Sequence, residues 1–387
     1  MLYQRLSCAF LSTLLLAPLC LSVFFRASGQ EGTAPPQTES RERRPTEPAQ
    51  QSTPTLKRSG RREKSKDQDD EVVTIETDLA NVLFTAVDKN RRFITTIQKE
   101  DIRVIEDGLA QEIFTFQRET NRPLSLAILI DVSASQQLTL DDEKDAARTF
   151  VNSVIHQARD EVAVLSFSGE ATVEQELTNK LSSVQKALER IEVILPPGYV
   201  GGGITINDPG RPVTGDDDPR LGTTAIWDAV WAVSEELFSS VEKDKRRAII
   251  LITDGVDTSS RLKTNEAIKR AITADAAVYA IGIGDDKNFE GVKKGPLRKI
   301  AEHTGGRAYF PRNNSELQGS FSEIEQELRS QYLVAYSPSN KNHDGSYRKV
   351  QIELINPQLR KQKLQLNYRQ GYFTKGTAAA NARTPQE

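Results

Sequence analysis

Apolar and polar positions follow two rhythms along this chain. LAILI (126–130), VAVLSF (162–167), AIILIT (248–253) and AVYAIGIG (277–284) are continuous apolar runs, the pattern of strands buried on both faces. Between them the apolar positions recur at helical spacing. Ala147, Phe150, Val151 and Val154 form one stripe, and Ile226, Val230, Val233, Leu237 and Val241 form a second. Leu317, Phe321, Ile324 and Leu328 mark a final helix. Strand and helix in alternation predict an α/β domain over residues 123–330, with a doubly wound, mostly parallel sheet and right-handed crossovers.

The second rhythm flanks the first. VVTIET (72–77), NVLFTAVD (81–88), IRVIED (102–107) and EIFTFQ (112–117) are short, rich in β-branched and aromatic residues, and separated by turn formers such as Glu106-Asp107-Gly108. They predict a small β module over 71–122. The β pattern returns after Gln331. Val350, Ile352 and Leu354 alternate with polar residues, as do Leu364, Leu366 and Tyr368. Residues 331–375 are therefore expected to pack with 71–122, because the ends of a domain often lie close together. Residues 376–387 read as a frayed tail. Pro196 to Arg220 interrupts the alternation with Gly201-Gly202-Gly203 and Asp216-Asp217-Asp218, and is expected to be a surface loop at the binding edge.

The amino terminus changes the compartment. Arg5, an apolar run from Cys8 to Phe25 and the small residues Ala27-Ser28-Gly29 make 1–29 a secretory signal, so the folded part is expected outside the cytoplasm, secreted or in the cell envelope. Retention as a membrane anchor is the alternative, since the run is near the lower limit for spanning a bilayer. Pro18 interrupts it and favours cleavage. Cys20 follows Leu19, which is larger than the residue expected before a lipidated cysteine. Residues 30–70 are Pro, Gln, Ser, Thr and mixed charge, a composition that cannot offset its ordering entropy and predicts a disordered linker. Both cysteines of the 387-residue chain, Cys8 and Cys20, lie in the signal, so the mature protein would have neither disulfide nor thiol ligand. A formal net charge of −3 argues against nucleic acid as a partner.

Candidate chemistry sits at the ends of the apolar runs. Asp131, Ser133 and Ser135 follow the first as a D-x-S-x-S pattern; Gly222-Thr223-Thr224-Ala225 opens the Ile226 helix; Thr253-Asp254-Gly255 follows the third run. In an open α/β sheet such loops gather at the carboxyl ends of the strands, where ligands bind. Each has a plainer reading. The first could be a capped turn, Thr224 an N-cap, and Thr253-Asp254-Gly255 a simple turn. Asp216-Asp217-Asp218 lacks the spacing of a Ca²⁺ loop and reads as solvated, and the three glycines do not sit in a phosphate-binding pattern.

Together the three motifs, in this order over roughly 120–330, resemble the metal-ion-dependent adhesion site of a von Willebrand factor A domain. The flanking β segments and Arg369-Gln370-Gly371-Tyr372-Phe373 further resemble secreted bacterial proteins described as von Willebrand factor A-related, a group noted in acidobacteria. The resemblance implies a Rossmann-like fold and a Mg²⁺ (or Mn²⁺) site formed by Asp131, Ser133, Ser135, Thr224 and Asp254. It also implies an open coordination position that an acidic side chain of a protein partner fills. Two carboxylates and several waters suit a small hard cation. Aligning Ala225 and Asp228 selects Thr224 over Thr223, and Thr223 stands where the family usually has glycine.

An enzyme would need a nucleophile or an acid–base pair. Only His156, His303 and His343 are present, with His156 expected in the helix of Val151 and Val154. Ser133 lacks a G-x-S-x-G elbow, and no second aspartate lies two residues after Asp131. The expectation is a binding protein and no catalytic site. A scaffold with a dispensable metal and a metal-assisted hydrolase are the alternatives.

Overall fold

The computed structural model describes residues 79–119, 122–156, 158–195, 199–201, 204–205, 223–284 and 291–376, all within the compact unit Val73–Glu387. The predicted signal, linker and VVTIET strand, most of the 196–220 loop and residues 377–387 lie outside the described residues.

In chain order, the strands are β1 (Ala80–Val87), β2 (Ile102–Glu106), β3 (Leu109–Gln111), β4 (Ile113–Arg118) and β5 (Leu124–Asp131), followed by α1 (Leu140–Val154). Next come β6 (Glu161–Phe167), β7 (Ala171–Thr178), α2 (Leu181–Arg190), the hairpin strands β8 (Tyr199–Gly201) and β9 (Ile204–Thr205), and α3 (Ile226–Ala232). The domain continues with β10 (Arg246–Thr253), α4 (Thr264–Thr273), β11 (Ala276–Gly282), α5 (Lys294–Thr304), β12 (Ala308–Tyr309) and α6 (Asn314–Arg329). The remainder is β13 (Tyr332–Tyr336), β14 (Tyr347–Leu354), α7 (Pro357–Lys361), β15 (Gln365–Tyr368) and β16 (Gly371–Phe373).

The central sheet has the order β12-β11-β10-β5-β6-β7 and is parallel except for its edge strand β7. All eight residues of β5 are buried, because β10 and β6 flank it and helices cover both faces. Leu126, Ile128 and Ile130 pack with α1, α2 and α6, whereas Ala127 and Leu129 pack with α3, α4 and α5. The stripe Ala147, Phe150, Val151 and Val154 is entirely buried on α1. The second stripe starts in α3 and continues through a wider helical turn over Val233–Leu237 and a tighter one over Phe238–Ser240. α1 ends at Val154, so His156 lies just beyond the helix, contrary to expectation, with its ring Nδ1 3.2 Å from Asp160.

Two four-stranded antiparallel sheets, β15-β1-β13-β4 and β16-β14-β2-β3, enclose a separate core. β1 pairs with both β13 and β15, and β2 pairs with β14, so the early and late β segments interleave. Val82, Phe84, Val104, Tyr332, Val334 and Val350 fill this core, and the rings of Phe84 and Tyr332 stack 4.9 Å apart. The buried Glu106 carboxylate ties the two sheets, accepting hydrogen bonds from Tyr336 (2.7 Å) and Tyr372 (2.9 Å).

The α/β layers and the paired sheets are bolted together by a second buried carboxylate. Glu327 of α6 accepts from Thr85 in β1 (3.0 Å), Asn367 in β15 (2.6 Å) and Arg307 (3.1 Å). Buried Arg246, at the start of β10, donates to Leu328 O (2.6 Å) and Gln331 Oε1 (3.0 Å) at the junction of α6 and β13.

Candidate functional site

The site is built where β5 and β10 end side by side. β5 stops at Asp131, and after Val132 and Ser133 the chain enters a short tight helical turn at Ala134–Gln136 before α1. Asp131 is fully buried. Its Oδ1 accepts the backbone N–H of Ser133 (2.9 Å), which bends the loop so that the hydroxyls of Ser133 and Ser135 approach to 3.0 Å. Ser133 is buried and Ser135 is exposed, so the hydroxyl pair runs from the interior to the surface.

The third loop is fastened directly to the first. Thr253, the last residue of β10, donates its hydroxyl to Asp131 Oδ2 at 2.6 Å and accepts from Gly255 N at 3.1 Å. Asp254 follows at 7% exposure, and its Oδ1 accepts Val256 N at 2.9 Å. Gly255 has φ +80°, and a Cβ there would lie 2.8 Å from Lys293 O, so both conformation and space require glycine. Sequence reasoning singled out Asp254 in this loop and gave no separate role to Thr253, which makes the shortest bond to Asp131.

The second loop is tied to the residue after β6 and to the segment after Asp254. Ala225 N donates to Ser168 O (2.7 Å), just past Phe167, the residue opposite Asp131 across β5 and β6. Thr224 is buried; its backbone accepts from Thr258 N (2.8 Å) and Ser259 N (3.1 Å), and its N–H donates to Thr258 Oγ1 (2.8 Å). Thr224 is not the N-cap of α3. That position belongs to Ala225, and the first-turn amides of Ile226 and Trp227 are taken by Asp257 Oδ1 and Ser260 Oγ, each at 2.9 Å. Asp228 in turn accepts Arg261 N (3.0 Å) and Leu262 N (2.9 Å). These side chains close the second loop onto the segment after Asp254.

The electrostatics are those of an anionic pocket. Burial pushes the Asp131 carboxyl up to about 6; hydrogen bonds from Ser133 and Thr253 work against that, and the neighbouring Asp254 charge adds to it. A third carboxylate belongs to the same region. Glu143, in the first turn of α1, is fully buried, and neither of its Oε atoms has a hydrogen-bond partner. The nearby Thr139 hydroxyl bonds Gln136 Oε1 at 3.1 Å. Burial pushes Glu143 up to about 8; the Thr139 hydroxyl offsets part of this, while Asp131, Asp254 and Asp142 all repel its charge.

Among the described residues no three His, Cys, Asp or Glu side chains gather closely enough to hold an ion by themselves. The bonded oxygens of the site are a mixed set, the Asp131 carboxylate with the hydroxyls of Ser133, Ser135 and Thr253; Asp254 follows Thr253 directly, and Thr224 is tied by its backbone to Thr258 and Ser259. Oxygen donors with few formal charges suit a hard divalent cation that keeps some of its water. Two of the histidines are engaged elsewhere, His156 at Asp160 and His303 at Lys299 O (2.8 Å).

Profiles described as the von Willebrand factor type A domain match residues 126–209 and 217–323. No match was found among curated proteins. Among solved structures, a von Willebrand factor type A protein from Catenulispora acidiphila is 15% identical, covering 80% of this chain and 76% of that one, with a TM-score of 0.43. An aerotolerance-related membrane protein from Bacteroides fragilis is 18% identical over 53% of this chain and 98% of that one, with a TM-score of 0.38. Proximal thread matrix protein 1 of the mussel byssus, with a zinc-occupied MIDAS motif, is 21% identical, with a TM-score of 0.39. That match covers 55% of this chain and 50% of the other, so the chain spans about half its length.

Proposed function

The chain contains a von Willebrand factor type A domain, and on that premise we propose that it is an extracytoplasmic binding protein that engages a protein partner through a divalent cation. Asp131, Ser133, Ser135, Thr224 and Asp254 hold Mg²⁺ or Mn²⁺, and the ion supplies an electrophilic position for a carboxylate of the partner. The observation that carries this reading is the bond from Thr253 to Asp131 at 2.6 Å, which fastens the loop of Asp254 to the loop whose Ser133 and Ser135 hydroxyls pair. Two buried carboxylates that repel each other are unfavourable unless a cation compensates them.

The rim supports capture of a partner over catalysis. Ser135 opens to solvent, and Leu138, 76% exposed in the turn that follows it, offers apolar surface beside the pocket. A side chain that docks an acid onto the cation would find an apolar contact next to it. The carboxylates of the pocket accept hydrogen bonds from the loops that build it, which holds the donors in place. No helix among the described residues is long and apolar enough to cross a membrane. The extracytoplasmic location rests on the signal-like 1–29 segment.

The test is unfolding with and without metal. Mg²⁺ or Mn²⁺ at 100 times its dissociation constant should add about 2.7 kcal/mol, read as a rise of a few degrees in Tm for a domain of this size. Asp131→Ala should abolish the rise. Proteins captured from secreted and envelope fractions should be released by EDTA and missed by the variant. No change in Tm at millimolar metal would sink the reading and leave a scaffold.

A further inference from the structure

The nearby Thr139 hydroxyl offsets only part of the cost of burying Glu143. Glu143 shares the inward stripe of α1 with Leu140, Ala146, Ala147, Phe150, Val151 and Val154, and both its carboxylate oxygens are shut from solvent without a hydrogen bond. An acid in such a stripe is retained at a cost unless a charge or donors compensate it. Glu143 N bonds Thr139 O (3.0 Å), the Thr139 hydroxyl bonds Gln136 Oε1 (3.1 Å), and Gln136 Nε2 reaches Ser135 Oγ (3.4 Å), so Glu143 borders the loop of Asp131, Ser133 and Ser135, and Asp131, Asp254 and Asp142 all repel its charge. The adjacent Lys144 turns away, donating to Ile191 O at 3.0 Å and lying 3.6 Å from Asp141. No cationic side chain bonds its carboxylate oxygens, so a cation held at the pocket of Asp131 and Asp254 would be the charge that compensates the ionised form.

We infer that Glu143 is a third, positioning carboxylate of the cation site, resting on the metal reading above. Because three acidic side chains do not converge to direct-ligand distance, Glu143 acts through a water that the ion keeps, accepting its hydrogen bond. Mg²⁺ and similar ions keep several waters when few carboxylates bind them, and outer carboxylates that orient such ligands are typically worth 10–100-fold in metal affinity. Asp131, Asp254 and Glu143 then give a bound cation three carboxyl groups of the chain's own, two among its donors and one through water, so the site would hold its cation between encounters with a partner.

The experiment is Mn²⁺ binding by calorimetry to the full chain, with no partner present, together with metal-free Tm. Glu143→Gln should weaken Mn²⁺ roughly 10–100-fold without lowering the metal-free Tm, a combination that a purely structural role would not produce. Asp142→Asn, which removes an equal charge from the exposed neighbour, should change the affinity less than about threefold, since exposed charges are screened. Asp131→Ala should abolish binding. If Glu143→Gln binds Mn²⁺ as the parent does while Asp131→Ala does not, the inference about Glu143 fails and the metal site stands. If the parent itself does not bind Mn²⁺, the metal reading fails. Should Glu143→Gln fold poorly, Glu143→Leu keeps the test open, because it completes the apolar stripe; unchanged affinity in that variant overturns the inference equally.

Discussion

In the metal-free protein, replacing Glu143 by glutamine should raise stability at neutral pH. The carboxyl has an ordinary value of 4.5 and is pushed up to about 8 in the fold, chiefly by burial. A group raised in this way contributes its full share of stability below 4.5, and loses it as the pH rises towards 8, because the unfolded chain releases a proton that the folded one retains. At pH 7 the unfolded chain lies 2.5 units above its own value, which at about 1.36 kcal/mol per unit is worth about 3 kcal/mol. Glutamine keeps the shape, does not ionise and breaks no hydrogen bond, since neither Oε atom has one. The assay is urea unfolding in EDTA at pH 5, 6, 7 and 8. The variant should gain under about 1 kcal/mol at pH 5 and about 3 kcal/mol at pH 7. A variant no more stable than the parent at pH 7, or a gain that does not vary with pH, would refute the reasoning.

Two further outcomes follow from the packing. Glu327→Ala removes the acceptor shared by Thr85, Asn367 and Arg307 and strands a guanidinium that is largely buried; it should cost about 3 kcal/mol in urea unfolding, and a loss under about 1 kcal/mol would show that the carboxylate does not join the layers. Gly306→Ala would place a Cβ 2.0 Å from Val278 O on the neighbouring strand β11. Backbone cannot yield as a side chain tip can, so a loss of at least about 2 kcal/mol and a Tm lower by several degrees are expected, and an unchanged Tm would contradict the close approach.

The sequence left visible traces of some features it did not reveal on first reading. Glu143 lies three residues after Leu140 and four before Ala147 on a stripe that is otherwise apolar. An acid at such a position is the signal by which a buried carboxylate can be found from sequence. The edge strand β7, ATVEQELT, carries no such trace. Four of its eight residues are exposed and none is buried, and its pairing with β6 slips in register, so no alternation accumulates. β3 leaves no trace either, because three residues are too few to show a period.

By itself the sequence determined the α/β character of the molecule and the position of the Asp131 loop. A continuous apolar run such as Leu126–Ile130 can be satisfied only inside a sheet covered on both faces, and a polar pattern directly after it must emerge at a strand end. Tertiary structure decided the rest. Thr253 meets Asp131 across 122 positions of chain, and Thr85 meets Glu327 across 242. Contacts of that kind depend on how the strands are ordered, β10 beside β5 and β1 between β13 and β15. Local propensity and spacing carry no information about that order, since it is set by which apolar faces bury one another most completely. The buried, unpartnered state of Glu143 likewise arises only when α1 docks its stripe beneath the pocket.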